Sequence, residues 1–210
     1  QGMGGFMSVT GAADGEPQKA GIPISDLIAG MYAGVAICAA LRHREATGEG
    51  QFVDIGMLDT TAAMLSIVGA NFLATGENPK RLGNGHPNIV PYQSFPTADG
   101  DIIVAVGNDG QFQRFCDFAG CPELAANPRF ATNGARVTNR DALIPLLREI
   151  LVTKPSAHWL EGLEARSVSC GPINRLDQVF DDQQVQARGV KLHMDHPATG
   201  GAGVDMVASP

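Results

Sequence analysis

The feature that most constrains this chain is an apolar segment rich in small residues, which extends from Gly21 to about Arg44. Pro23 prevents a helix from continuing upstream and Ser25 is a favourable N-cap, so the sequence predicts a helix that begins near Ser25. The single acidic residue of the segment, Asp26, then lies in the first helical turn. Unpaired backbone N–H groups and the helix dipole favour an ionised carboxylate at that position.

Small residues follow Asp26 along the predicted helix at Ala29, Gly30, Ala33 and Gly34. Residues spaced by four lie on one helix face, so a second backbone or a flat ligand can approach closely there. A positioned carboxylate beside open space is what nucleophilic catalysis by Asp requires. An Asp in the first turn can equally be a simple helix cap, and this segment alone leaves both interpretations open.

The composition excludes some functions. With 44% hydrophobic residues in 210, the chain suits one sizeable domain or two small ones. A formal charge of −7 argues against nucleic-acid binding. The scattered cysteines (Cys38, Cys116, Cys121, Cys170) lack metal-site spacing and are expected to be reduced thiols in a cytoplasmic protein. No unbroken apolar run approaches the ~20 residues of a transmembrane helix, so we expect no membrane partner.

The first half of the chain predicts part of a large α/β domain over residues 1–75. Strand-like patterns occur at Phe6–Val9 and Gln51–Ile55, and the apolar helix lies between them. Asp59 and Thr60 can cap a further helix that extends to Gly76. A Gly-, Pro- and Asn-rich linker or functional loop is expected over residues 76–89.

The second half predicts a smaller α+β domain over residues 90–178. A β-hairpin with a Gly turn is predicted at residues 92–95 and 102–106. Helical patterns follow at 111–119, 139–151 and 156–165, and a final short strand or turn at 168–173. A return segment toward the large domain, residues 179–210, combines a helix at 181–188 with strand patterns at 191–196 and 204–208. Because the chain starts at Gln1 without a Met and stops directly after a strand pattern, we expect it to be part of a longer protein.

Several segments together resemble the family III CoA-transferases, the group of formyl-CoA transferase and carnitine CoA-transferase that is related to the α-methylacyl-CoA racemases. Each segment is short, but their order and spacing match along essentially the whole chain. The matching segments are Gln1–Gly5, Ser25–Leu27, Arg44–Asp54, Asn127–Phe130, Cys170–Ile173 and Asp182–Gly189. The resemblance implies an α/β fold in which a Rossmann-like large domain is joined to a smaller α+β domain.

The resemblance also implies that Asp26 is a covalent nucleophile. Its carboxylate would attack an acyl-CoA thioester to form an acyl-aspartyl anhydride, and the released CoA thiolate would return to give an aspartyl-CoA thioester. Attack by an acceptor acid would complete CoA transfer between carboxylic acids. The implied substrates are an acyl-CoA and a carboxylic acid, with coenzyme A as co-substrate, no metal, and an interlocked homodimer as the assembly.

A glycine-rich loop over the nucleophile is a further implication of the resemblance, and Leu82–Pro87 matches it in position with fewer glycines. Gly83, Asn84, Gly85 and His86 are therefore candidate residues of a flexible lid. Its backbone amides would stabilise the oxyanion that develops at each step, and His86 is a candidate proton carrier. A plain linker is the alternative for this loop.

Two alternative functions remain open at this point. In an acyl-CoA racemase or epimerase, Asp26 would act as an acid or base on the α-proton, beside a His in a preceding segment and an acidic residue near the position of Asp109. In a non-catalytic remnant, Asp26 would only cap its helix. By resemblance, much of the CoA pocket lies in an N-terminal part that precedes Gln1, so we expect the 210 residues alone neither to bind CoA tightly nor to transfer it.

Overall fold

The computed structural model describes residues 1–209 as helices combined with two small antiparallel sheets. The helices are α1 (Phe6–Val9), α2 (Ile24–Thr47), α3 (Met57–Ala63), α4 (Ser66–Thr75), α5 (Asp109–Ala119), α6 (Pro122–Ala126), α7 (Asn133–Thr138), α8 (Arg140–Leu151), α9 (Ser156–Glu164), α10 (Leu176–Asp181) and α11 (Gln183–Ala187). The strands are β1 (Tyr92–Pro96), β2 (Asp101–Ala105), β3 (Ser169–Pro172), β4 (Lys191–Met194) and β5 (Val204–Val207). This mixture of helix and sheet fits the predicted α/β class.

The hydrophobic core lies in the second half of the chain. Every buried hydrophobic side chain among the described residues falls between Val90 and Val168. One sheet, in the order β1-β2-β3, contributes Phe95 and Ile102, which are paired across the β1–β2 hairpin. Helices α8 and α9 pack against this sheet and α5 packs against α9, each through apolar residues at helical spacing, because one stripe of each amphipathic helix must be buried. These helices and the hairpin were predicted from the sequence within a few residues.

Two predicted strands in the first half are wrong. Phe6–Val9 forms the short helix α1, which begins after Gly5 at a φ of 79°. Residues 51–55 form neither helix nor strand and pair with no strand among residues 1–209, and Phe52 is 90% exposed. Alternating polarity indicates which way side chains point, but a strand also needs a partner for its backbone N–H and C=O groups. Nothing in the local sequence supplies that partner.

Predicted helix caps also differ from the structure. Helix α2 begins at Ile24, so Pro23 occupies the N-cap and Ser25 lies inside the first turn rather than capping it. Helix α3 begins at Met57 after Gly56, with no side-chain cap from Asp59. The helix predicted at 181–188 is the shorter α11, because Asp182 is extended and its carboxylate accepts hydrogen bonds from the amides of Gln184 and Val185; α10, which precedes it, was not predicted.

Helix α2 is apolar on nearly all sides and almost uncovered. Ser25 is its only buried residue, and Met31 and Val35 are 66% and 70% exposed. By length and composition α2 could cross a membrane, and α3 with α4 meet the same criterion together despite a bend of 79° between them. The sequence analysis required an unbroken apolar run and therefore missed this property. A helix that is apolar all round is buried in lipid or inside protein, so α2 needs a covering surface that residues 1–209 do not provide.

The ring of Phe118 packs against Gly162 of α9, in the space that a side chain at this position would occupy. A Cβ at this position would overlap the Phe118 ring, at 2.5 Å from Cε1. That ring is fixed on its other sides by stacking on His158 and by the guanidinium of Arg166, 4.3 Å from its centroid. We therefore expect Gly162→Ala to lower the free energy of unfolding by about 1–3 kcal/mol, the usual cost of overpacking.

Thermal and urea unfolding of the complete native protein would measure this effect. Gly134 in α7 is a suitable control, since a Cβ there has no neighbour within 4 Å. Gly134→Ala should be neutral or stabilising by up to about 1 kcal/mol, because it removes backbone freedom from the unfolded chain. Equal stabilities for the two variants would contradict the packing argument.

Candidate active site

Asp26 lies in the first turn of α2 with its carboxylate exposed. Its backbone N–H donates to the carbonyl oxygen of Pro23 at 3.1 Å, and no side-chain hydrogen bond or ion pair within residues 1–209 involves its carboxylate. Along the helix, a Cβ at Gly30 or Gly34 would have no neighbour within 4 Å. The Asp26 carboxylate therefore lies at a helix N-terminus, beside open space for a reacting group.

The hydroxyl of Ser25, the residue before Asp26, is buried without a partner. Ser25 is 6% exposed, and its Oγ is the one buried side-chain oxygen or nitrogen in the described chain that makes no hydrogen bond. A buried hydroxyl without a partner carries a desolvation cost. The sequence pattern does not indicate this feature, because it favours the Ser25 Oγ as the helix cap.

The two loop glycines use their amides inside the chain. Gly83 N–H donates to the carbonyl oxygen of Gly11 at 2.9 Å, and Gly85 N–H donates to that of Leu82 at 2.9 Å. Arg81 reinforces the first contact, since its Nη2 donates to the carbonyl oxygen of Gly15 at 2.6 Å. The loop is thus attached to the turn that precedes α2. In this conformation both amides are occupied, so donation to an oxyanion requires these bonds to open.

His86 has a defined tautomer in its neutral form. Its Nδ1 accepts the N–H of Asn88 at 3.1 Å, which places the ring proton on Nε2. The ring stacks on Tyr92 with 5.2 Å between centroids. Burial, and secondarily the positive charge of Arg140, lower the pKa of His86 below its ordinary value. The neutral form with an Nε2–H donor is therefore favoured near neutral pH.

The rest of the loop is attached to the core region by side chains that the sequence analysis did not identify. Asn84 Nδ2 donates to Ser94 Oγ at 2.8 Å. Asn133 of α7 donates from Nδ2 to the carbonyl oxygen of Asn88 at 2.8 Å. Arg140 of α8 donates to two further carbonyl groups of the loop. These partners lie 10 to 54 positions from the loop residues they contact, and no local pattern indicates such pairs.

The predicted site residues form two groups. Asn84, Gly85 and His86 lie together against β1 and α8, whereas Gly83 contacts the turn at Gly11. No hydrogen bond or ion pair in the described chain joins Asp26 to this loop. A small cavity of about 90 Å³ lies beside the loop; its lining includes Val9, Val68, Pro79, Leu82, Gly83 and Pro87.

Asp109, the position considered for an acidic residue of a racemase, has a carboxylate that is hydrogen-bonded within the chain. Its Oδ1 accepts hydrogen bonds from Arg136 Nη2 at 2.9 Å and from the N–H of Asn133 at 2.8 Å. This carboxylate therefore fixes the start of α7 to α5. Among residues 1–209 there is no group of three or more His, Cys, Asp or Glu side chains that could hold a metal ion.

Substituting both loop glycines should lower turnover. Gly83 has a φ of +59°, which is strained for other residues, and a Cβ at Gly85 would lie 3.1 Å from the carbonyl oxygen of Leu82. We expect Gly83→Val combined with Gly85→Val to lower kcat of the complete native protein by roughly tenfold or more, through loss of loop geometry. Gly134→Val, where the added atoms meet open space, should leave kcat unchanged. A double variant that is fully active and folded by circular dichroism would reduce the loop to a linker.

Comparison with known proteins identifies related sequences along the entire chain. The sequence model of CoA-transferase family III matches residues 1–210. The chain is 45% identical over 195 residues to a succinate–glutarate CoA-transferase of Agrobacterium fabrum, which covers 93% of this chain and 49% of that protein. It is 40% identical over 198 residues to the Homo sapiens succinyl-CoA:glutarate CoA-transferase, covering 94% and 45%. An acetyl-CoA:oxalate CoA-transferase of Acetobacter aceti is 38% identical, covering 91% and 50%.

Solved structures agree in fold. A CAIB/BAIF family protein from Brucella suis superposes with a TM-score of 0.80 at 44% identity, covering all of this chain and 54% of that one. The Rv3272 protein of M. tuberculosis superposes with a TM-score of 0.82 at 25% identity, with the same coverage. The chain thus spans about half the length of the curated relatives it matches. The relatives cited are named for CoA transfer, and nothing in these comparisons favours the racemase alternative.

Proposed function

The chain belongs to CoA-transferase family III, and we propose that the protein transfers coenzyme A between two carboxylic acids with Asp26 as its nucleophile. The observation that carries the proposal is the exposed, unpaired carboxylate of Asp26 in the first turn of α2, within a chain that matches the family over its full length. Coenzyme A enters as a co-substrate, and the proposed steps use the Asp26 carboxylate as the nucleophile with no metal.

The proposed reaction has four acyl transfers. First, an Asp26 oxygen attacks the thioester carbonyl of an acyl-CoA, and the C–S bond breaks to leave an acyl-aspartyl anhydride and CoA thiolate. The thiolate then attacks the Asp26 carbonyl carbon, which releases the first acid and forms an aspartyl-CoA thioester. Finally the acceptor carboxylate attacks this thioester to give a new anhydride, and CoA thiolate returns to its acyl carbon, which regenerates Asp26.

Particular residues of the chain are proposed to position the nucleophile, leave room for the substrate and stabilise the oxyanion. The first-turn position places the Asp26 carboxylate at the positive end of the α2 dipole. The small residues after it leave room for the acyl group and the thiol. Each addition generates an oxyanion, and the neutral His86, which holds its proton on Nε2, and the amides of Gly83 and Gly85 are the donors proposed to stabilise it once the loop opens.

The proposed substrates are dicarboxylic acids. Succinate, glutarate and oxalate, which appear in the names of the relatives, each carry two carboxyl groups. When one carboxyl group is joined to CoA, the other remains as a free carboxylate. A protein of this family that accepts such acids needs a cationic partner for that second group.

A homodimer is the proposed assembly. The uncovered apolar surface of α2 requires a partner surface, and the family resemblance implies that a second copy supplies it. Light scattering of the complete native protein should give the mass of two chains. A single-chain mass at micromolar concentration would contradict this part of the proposal.

An assay of the complete native protein with succinyl-CoA and glutarate tests the proposed function. We expect glutaryl-CoA and succinate to form in equal amounts, with ping-pong kinetics. Hydrolysis of succinyl-CoA without glutaryl-CoA formation would contradict CoA transfer. Exchange of the α-proton of an acyl-CoA with solvent, without transfer, would support the racemase alternative instead.

A further inference from the structure

Arg140, the first residue of α8, is a partly buried cation with most of its donors unused. Its Nη2 donates to the carbonyl oxygens of His86 at 2.7 Å and Pro87 at 2.9 Å. A guanidinium carries five N–H donors, but no hydrogen bond within residues 1–209 uses Nε or Nη1 of this residue. None of the ion pairs among those residues includes Arg140.

The charge of Arg140 is therefore partly desolvated, and although the neighbouring Asp141 carboxylate acts on it from a distance, no carboxylate among residues 1–209 is ion-paired with it. Burial lowers the pKa of its guanidinium, which nevertheless stays protonated at any physiological pH. Arg136, four residues earlier, is fully buried and is ion-paired with Asp109 at 2.9 Å. Among residues 1–209, the fold thus provides an ion-paired carboxylate for Arg136 but not for Arg140. A charge that is taken out of water normally has a partner.

The unused donors lie at the candidate loop. A Cβ at Gly85 would be 3.2 Å from Arg140 Nη1, so this nitrogen lies next to the bare Cα of that glycine. Gln93 contributes a second polar group there, with its Oε1 3.6 Å from the same point. The loop that carries Gly85 is attached at Gly83 to the turn that precedes α2. Arg140 Nη1 therefore lies beside the loop, so the position of the loop controls the access of a ligand to this nitrogen.

We propose that Arg140 binds the free carboxylate of the dicarboxylic substrate, the group at the opposite end from the thioester. This inference rests on the function proposed above, since it requires the acyl group held on Asp26 to extend toward the loop. A substrate carboxylate that accepts a hydrogen bond from Nη1 supplies the direct ion-pair partner that Arg140 does not have among residues 1–209. Arg140 is then a specificity-determining residue and takes no part in bond making or breaking.

The acceptor preference of the complete native protein tests the proposal. With succinyl-CoA as the common donor, kcat/KM is measured for glutarate and for pentanoate, which has the same chain length but one carboxyl group. We expect Arg140→Gln to lower kcat/KM for glutarate roughly 10- to 100-fold, mainly through KM, because a hydrogen bond to a charged group is lost. The value for pentanoate should not change. Arg148→Gln, at an exposed residue of the same helix, should behave as wild type.

Two results would overturn the assignment. If Arg140→Gln lowers kcat/KM equally for glutarate and pentanoate, Arg140 only holds the loop through its bonds to His86 and Pro87. If it lowers kcat/KM for neither acid, Arg140 has no role in binding. Arg140→Lys keeps the charge and is expected to retain part of the preference for glutarate. This variant therefore provides a second test if Arg140→Gln does not fold. A wild-type protein that transfers CoA to neither acid would contradict the proposed function itself, a failure distinct from a wrong assignment of Arg140.

Discussion

Asp26→Asn is expected to abolish CoA transfer, with kcat/KM reduced by at least about a thousandfold in the complete native protein. An amide has the shape of the carboxylate but cannot attack a thioester or carry CoA. The fold should be unaffected, because the Asp26 side chain makes no hydrogen bond within residues 1–209 and Asn is well tolerated near a helix N-terminus. Steady-state kinetics with succinyl-CoA and glutarate, together with the melting temperature, would measure both effects.

Asp59→Asn provides the matched control. Asp59 is also an exposed residue in the first turn of its helix, α3, so a general effect of first-turn charge would appear in both variants. We expect Asp59→Asn to keep wild-type transfer. If both variants remain active, Asp26 is only a residue that stabilises a helix terminus and the nucleophile lies elsewhere.

Arg136→Ala is expected to be the most destabilising single substitution in the core region, by about 3–5 kcal/mol. The Arg136 side chain is completely buried and donates to the carbonyl oxygens of Val90 at 2.6 Å and Phe130 at 3.0 Å, and to Asp109. Its guanidinium also lies 4.4 Å from the ring centroid of Phe112. Removal leaves these acceptors without their donor and opens a cavity.

Urea unfolding of Arg136→Ala and Arg136→Met separates the two causes. Met fills most of the volume of the arginine stem but donates no hydrogen bond, so most of the loss should persist in that variant. Arg148→Ala, at an exposed arginine of α8 without a side-chain hydrogen bond, should change stability by less than about 0.5 kcal/mol. A stability of Arg136→Met close to wild type would show that packing, rather than hydrogen bonding, explains the role of Arg136.

The sequence predicted the parts of the fold that depend on local patterns. The β1–β2 hairpin follows from alternating polarity around Gly100, and α8 follows from apolar residues at helical spacing. The strand expected at Gln51–Ile55 was wrong, because pairing depends on a partner that a single segment does not specify. Helix α2 was predicted, but its exposure was not, since burial depends on which other surface covers it.

The candidate site was predictable to a similar extent. Asp26 could be proposed from the sequence because its position combines a helix start, small neighbours and a family motif within one segment. Arg136 and Arg140 could not, because their roles depend on carbonyl groups 46 and 54 positions away, brought together only by the fold. The occupied amides of Gly83 and Gly85 likewise follow from contacts made by the folded chain.

Trapping the covalent intermediate tests the central claim most directly. The complete native protein would be incubated with succinyl-CoA and then hydroxylamine, and its peptides analysed by mass spectrometry. Hydroxylamine attacks an anhydride or thioester at the Asp side chain and converts it to an aspartyl hydroxamate. We predict this modification at Asp26, dependent on succinyl-CoA and absent from Asp26→Asn. A modification at another carboxylate, or active protein with Asp26 unmodified, would contradict the account.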